Sequence, residues 1–139
     1  MTTEKNTYHH GNLRSELKKA ALKILDEEGL EAVSIRKIAR YIGVAHSAPA
    51  NHFKDKKSLF TALVIDIFND LATSVKQELT MDKISLSQNI HTIASTLLKF
   101  GMLYPNRYRL LWRRDYLDNE EVKSFKEANA DEMLKDDLK

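Results

Sequence analysis

Apolar residues recur along this chain at the three- and four-residue spacing of a helix face, and no stretch keeps the alternation of a strand. The first face, Leu13, Leu17, Ala20, Ala21, Ile24 and Leu25, predicts a helix capped by Asn12 and stopped at Gly29. Ser34 is read as the cap of a second helix, running through Ile35, Ile38 and Ala39 to Tyr41 or Ile42, with Gly43 ending it. A third, stubby helix is expected from about Ala45 to Asn51. Asp55 is expected to cap the strongest pattern, in which Leu59, Leu63, Ile67, Leu71, Val75 and Leu79 repeat every four residues. Phe60, Val64, Phe68 and Ala72 lie alongside and broaden that stripe. After a break around Thr80–Ser85, the residues Leu86, Ile90, Ile93, Ala94, Leu97 and Leu98 mark another helix, which stops near Tyr104. Pro105 opens a short one, Asn106 to about Arg113, because a proline tolerates the first helical position. The last helix is expected from Asn119, with Glu120 and Glu121 suited to its positive end and Val122, Phe125, Met133, Leu134 and Leu138 as its sparse apolar set.

The predicted fold is therefore all-α. A helix-turn-helix head with an N-terminal arm occupies residues 1–54, and a connecting helix with a partial helical regulatory domain occupies residues 55–139. The net charge of +2 conceals an uneven distribution. Through Phe60 there are 11 Lys and Arg against 7 Asp and Glu; from Thr61 onward there are 11 against 13. Between Ser34 and Lys57 six cations face the single acid Asp55, a bias that suits a polyanionic partner. Cysteine is absent, so disulfides and thiolate metal sites are excluded. No uninterrupted apolar run approaches a membrane span, and the first residues lack the apolar core of a secretory signal; the expectation is a cytoplasmic protein without a membrane partner.

The most informative stretch is Ser34 to Phe53, two short helices joined at a tight glycine turn. Ala39 is small where the helices must cross closely, and Ile35, Ile38, Ile42 and Val44 supply apolar contacts that fix their angle. The following segment is too short to hold itself, so packing must prop it outward as a probe. Its His46, Ser47, Ala48 and Asn51 are short enough to reach base edges, or a thymine methyl, in the major groove of double-stranded DNA. Ser34 and Asp55 begin helices whose free N–H groups attract anions, and Arg36, Lys37, His52, Lys54 and Lys56 are candidates for phosphate contact.

Gly29, Ser34, Ile38-Ala39, Gly43-Val44, His52-Phe53, Lys56 and Leu59 together resemble the signature of the TetR/AcrR family of bacterial one-component transcription regulators. The runs Tyr8 to Arg14, Ala48-Pro49 and Tyr104 to Leu111 are similar to one branch of it. The resemblance implies a ligand-binding and dimerisation domain after the head. It implies a homodimer that represses transcription at a palindromic operator until a small-molecule effector binds. By position it makes Ser34, Arg36, His52 and Lys56 phosphate contacts and His46, Ser47 and Asn51 base-facing. Ala50 departs from the family pattern, in which a tyrosine commonly touches the DNA backbone at this position. The family also usually continues through two further long helices that make the dimer, for which the residues up to Lys139 leave no room.

His91, Met102, Tyr108 and Trp112 are candidates for lining an apolar ligand pocket, with ordinary core packing as the competing reading. Arg107, Arg109, Arg113 and Arg114 are read as a solvated helix edge facing acids such as Asp115 and Asp118. The five histidines have no ligand partner at metal-site spacing, and no catalytic constellation stands out, so neither a metal, a cofactor nor an enzyme activity is expected. Two other classes compete with a regulator: an architectural or cell-division protein using the same head without a ligand, and a helical protein–protein adaptor.

Overall fold

Glycines, a proline and short polar caps divide the chain where the periodicity breaks. The computed structural model describes residues 12–79 and 85–136, with side chains up to Asn129, and the chain divides into two compact units between Lys56 and Lys57. Six α-helices occur among the described residues: α1 Leu13–Glu28, α2 Ile35–Ile42, α3 Lys56–Glu78, α4 Leu86–Leu103, α5 Pro105–Trp112 and α6 Asn119–Asp136.

In the first unit α2 packs on α1, and the core is Leu17, Ala20, Ala21, Ile24, Leu25, Val33, Ile38, Ala39 and Phe53. Gly29 ends α1 with a positive φ of 91°, and its N–H bonds to the Leu25 carbonyl at 3.0 Å. Asn12 precedes α1, but its side chain makes no capping bond, contrary to expectation. Its backbone (φ −124°, ψ 7°) lies outside the extended region from which a capping side chain reaches the first-turn N–H groups. Ser34 does cap α2: its backbone is extended, and its Oγ accepts the Lys37 N–H at 3.1 Å.

The second unit is built on α3. Residues Leu59 to Val64 are buried without interruption, wider than one stripe, and Ile67 and Leu71 continue the face. Further along, Val75 is only half-buried and Phe68 is exposed. By length and composition α3 would suffice to cross a membrane, although Asp66, Asn69 and Asp70 divide it into shorter apolar runs. A core helix satisfies the same test, and 44% of the apolar window is buried within the protein. Thr61 lies in that buried stretch with both hydrogen-bonding roles met: it donates to the Lys57 carbonyl at 2.9 Å and accepts the Asp118 N–H at 2.8 Å. Phe60 meets Tyr116 edge-on with ring centroids 5.4 Å apart, and Phe68 meets Phe125 at 6.3 Å. Leu110 and Leu117 are buried in the same unit.

α4 starts with a complete capping box that the helix reading above does not use. The Ser85 side chain accepts the Gln88 N–H while Gln88 Oε1 accepts the Ser85 N–H at 3.0 Å. Pro105 opens α5 as expected, and α5 packs on α4 with the Tyr108 ring over Gly101, at an ordinary contact distance of 3.4 Å from where a Cβ would stand. α6 begins at Asn119 as expected, and the Asp118 carboxylate accepts from the Glu120 and Glu121 N–H groups at 3.1 and 3.3 Å. The Tyr8–Gly11 arm, including His9 and His10, and the side chains of Met133, Leu134 and Leu138 lie outside the described residues.

Candidate nucleic-acid interface

The turn after α2 sets the direction of the segment that follows it within the first unit. Gly43 adopts a left-handed conformation (φ 76°, ψ 30°). Its N–H reaches the Arg40 carbonyl at 3.3 Å and the Val44 N–H reaches Ala39 at 3.0 Å, the paired bonds of a Schellman motif. A side chain at Gly43 would meet open space, so its requirement for glycine is conformational and not steric.

The segment from Ala45 to Asn51 is not a continuous α-helix. The Ala48 N–H closes a turn onto Ala45 at 3.0 Å, and Pro49–Asn51 forms a single 3-10 turn. Pro49 supplies the reason: it has no N–H to donate to the Ala45 carbonyl, and its ring would strike that carbonyl in an α-helix. The Pro49 carbonyl then accepts from both His52 and Phe53 N–H at 2.9 Å. Pro49 and Phe53 are buried, whereas His46, Ser47, Ala50 and Asn51 are exposed and Ala48 is half-buried. Two inward anchors thus hold out a loop of short polar side chains.

Among the phosphate candidates, Arg36 and Lys54 are exposed, and Ser34 is exposed while its Oγ serves the α2 cap. Lys37 is paired with Glu28, so an anion would compete with that carboxylate for it. Lys56 is half-buried, with its Nζ 3.4 Å from the Leu30 carbonyl oxygen. His52 is half-buried, and its carbonyl accepts from Arg14 Nη1 at 2.9 Å. The same guanidinium lies 4.4 Å over the Phe53 ring. Arg14 is the residue the sequence reading missed; it stands in the Tyr8 to Arg14 run, and nothing in the periodicity links it to a residue 38 positions away. On the head's surface the ammonium of Lys23 lies 5.8 Å over the Tyr41 ring; the hydrogen bond to Tyr41 raises its pKa above the ordinary lysine value.

The four pocket candidates do not come together. Met102 and Tyr108 line a shallow open depression with Leu97 and Leu98, whereas His91 lines another with Gln88. Trp112 stacks edge-on against Tyr108 at 6.0 Å and is 69% exposed. Periodicity gave the correct helices; His91 and Met102 share α4, but their spacing sets them about 16 Å apart along its axis, in separate depressions. Of the four arginines, Arg113 forks onto Asp115 at 2.8 and 2.9 Å, and Arg107 lies 4.4 Å over the Tyr104 ring. Among the described residues no group of three His, Asp or Glu is arranged to hold a metal ion.

Comparison with known proteins agrees with this geometry. Residues 17–63 match the family described as bacterial regulatory proteins, tetR family. An HTH-type transcriptional regulator of Staphylococcus aureus is 34% identical over 64 residues, 46% of this chain and 35% of the relative. The nucleoid occlusion factor SlmA of Salmonella paratyphi B is 28% identical over 108 residues, 78% of this chain and 54% of that protein. This chain thus spans about half or less of the length of these curated relatives. A solved structure of a protein with unknown function from Rhodococcus sp. RHA1 is 26% identical, with a TM-score of 0.73 covering 91% of this chain and 66% of that one. The matching residues 17–63, which hold the exposed, doubly anchored loop, thus resemble the tetR family of bacterial regulatory proteins.

Proposed function

We propose that the chain is a sequence-specific DNA-binding transcription regulator, a repressor released by a small-molecule effector. The observation that carries this reading is the exposure of His46, Ser47 and Asn51 on a loop pinned from beneath by Pro49 and Phe53. In this reading those three, with Ala48, face the bases, and Ser34, Arg36, Lys37, His52, Lys54 and Lys56 meet phosphates. The head is residues 1–54, the regulatory part residues 55–139, and the protein works as a cytoplasmic homodimer on a palindromic operator. Support for association comes from α4, whose Leu86, Ile90, Leu98, Met102 and Leu103 are exposed, the kind of face that pairing of copies would bury. The effector site, if formed around α4 and α5, starts from the depression beside Met102 and Tyr108.

Selection of duplexes from a random pool, followed by binding assays across salt, tests the reading. The expected result is an enriched inverted repeat whose log affinity falls with log salt by about 0.9 per phosphate contacted. No enrichment, together with salt-insensitive binding, overturns it. A screen for compounds that release the selected duplex then tests the effector.

A second reading has its own support. The match to a nucleoid occlusion factor extends over 78% of the chain, well beyond the head. In that reading the same head marks DNA without an effector, and a selected duplex that no compound releases favours it.

A further inference from the structure

Arg14 is the second residue of α1, where the helix dipole presents its positive end and a cation is disfavoured. Its side chain crosses to the far end of the reader loop instead of serving its own helix. Nη1 donates to the His52 carbonyl at 2.9 Å, and the flat guanidinium lies 4.4 Å over the ring of buried Phe53. The N–H groups of His52 and Phe53 are already committed to the Pro49 carbonyl. The exit of the loop is therefore held on both sides, by Pro49 within the loop and by Arg14 from α1. A lysine could keep the charge there, but not a flat face on Phe53 combined with a donor directed at His52.

We propose that Arg14 is a positioning residue for DNA recognition, fixing the pose of residues 46–51 by clamping His52 and Phe53. It contributes to discrimination among sequences and little to general attraction for DNA. The proposal rests on the DNA-binding reading above.

The experiment compares the full chain with its Arg14→Lys and Arg14→Gln variants on the selected duplex and on a scrambled duplex of equal length and composition. Arg14→Lys is expected to leave the salt slope and the scrambled-duplex affinity unchanged while the ratio of selected to scrambled affinity falls about tenfold. Arg14→Gln should lose that ratio to the same extent. A preserved ratio in both variants overturns the proposal; so does a salt slope lowered by about one phosphate with the ratio intact, which would make Arg14 a phosphate contact. Amide hydrogen exchange supplies a readout that needs no DNA. The His52 and Phe53 amides should exchange faster in Arg14→Lys while the core amides of α1 keep their protection, and unchanged exchange removes the clamp. If a variant fails to fold, Phe53→Leu removes the stacking ring and is expected to shift the ratio and the exchange in the same directions. Absence of DNA binding by the unaltered chain counts against the function proposed above, and the exchange measurement still decides the clamp.

Discussion

The head and α4 use the same kind of sequence pattern with opposite results. In the head most of the periodic apolar residues are buried: Leu17, Ala20, Ala21, Ile24 and Leu25 on α1 meet Ile38 and Ala39 of α2 in one core. Along α4, Leu86, Ile90, Ile93, Leu97 and Leu98 follow an equally regular helical spacing, yet all are exposed, and Thr96 is the buried residue. Periodicity states which residues share a face. Whether that face is covered depends on what the chain brings against it, which local pattern does not encode.

Truncation in each region makes the sharpest test of this contrast. Leu25→Ala, at a fully buried position, should destabilise the head by about 2–5 kcal/mol in denaturant unfolding, whereas Leu98→Ala, 66% exposed within one copy, should stay within about 0.5 kcal/mol at protein concentrations too low for copies to pair. Comparable losses at both sites would mean that α4's face is covered in solution.

A second break targets the long-range tie within the second unit. Thr61→Val keeps the shape but removes the acceptor for the Asp118 N–H, with an expected cost of about 1–3 kcal/mol. The thermal midpoint should drop, and the Asp118 amide should lose exchange protection. A neutral effect would show that water replaces the bond.

The local signals of the head should cost less. Ser34→Ala removes the α2 cap for about 1 kcal/mol, and Gly43→Ala adds left-handed strain of about 1–2 kcal/mol without any clash. Unfolding by urea measures both, and their sum should still be smaller than the largest core truncations.

The smallest effect is electrostatic. Hydrogen bonds from Arg113 hold the Asp115 carboxyl below the ordinary carboxylate range, and the guanidinium is raised in turn. A depressed acid stabilises the folded state above its unfolded pKa, and that contribution is lost as pH falls through the folded value. In an NMR titration Arg113→Gln should move Asp115 up towards the ordinary carboxylate range. An unmoved titration would show that the fork does not persist in solution.

Much of the fold was legible in local chemistry. Gly29, Ser34, Gly43 and Pro105 mark element ends in the structure as their backbone preferences require, and Ser85-Leu-Ser-Gln88 carried a capping box open to the same reading. The Asn12 cap failed because capping needs an extended backbone, and composition does not supply the dihedrals. Pro49 was visible too, and its missing N–H is what turns the expected stubby helix into a 3-10 turn.

Residue type and spacing along the chain settled where helices start, which faces are apolar, and which short polar side chains fall after the Gly43 turn, since each depends on neighbours within about one or two helical turns. Folding in three dimensions settled the rest. It set Arg14 against His52 and Phe53, tied Thr61 to Asp118, and left α4's apolar face uncovered within the single chain. Those outcomes depend on how helices rotate and pack, which is fixed by contacts between residues far apart in the chain.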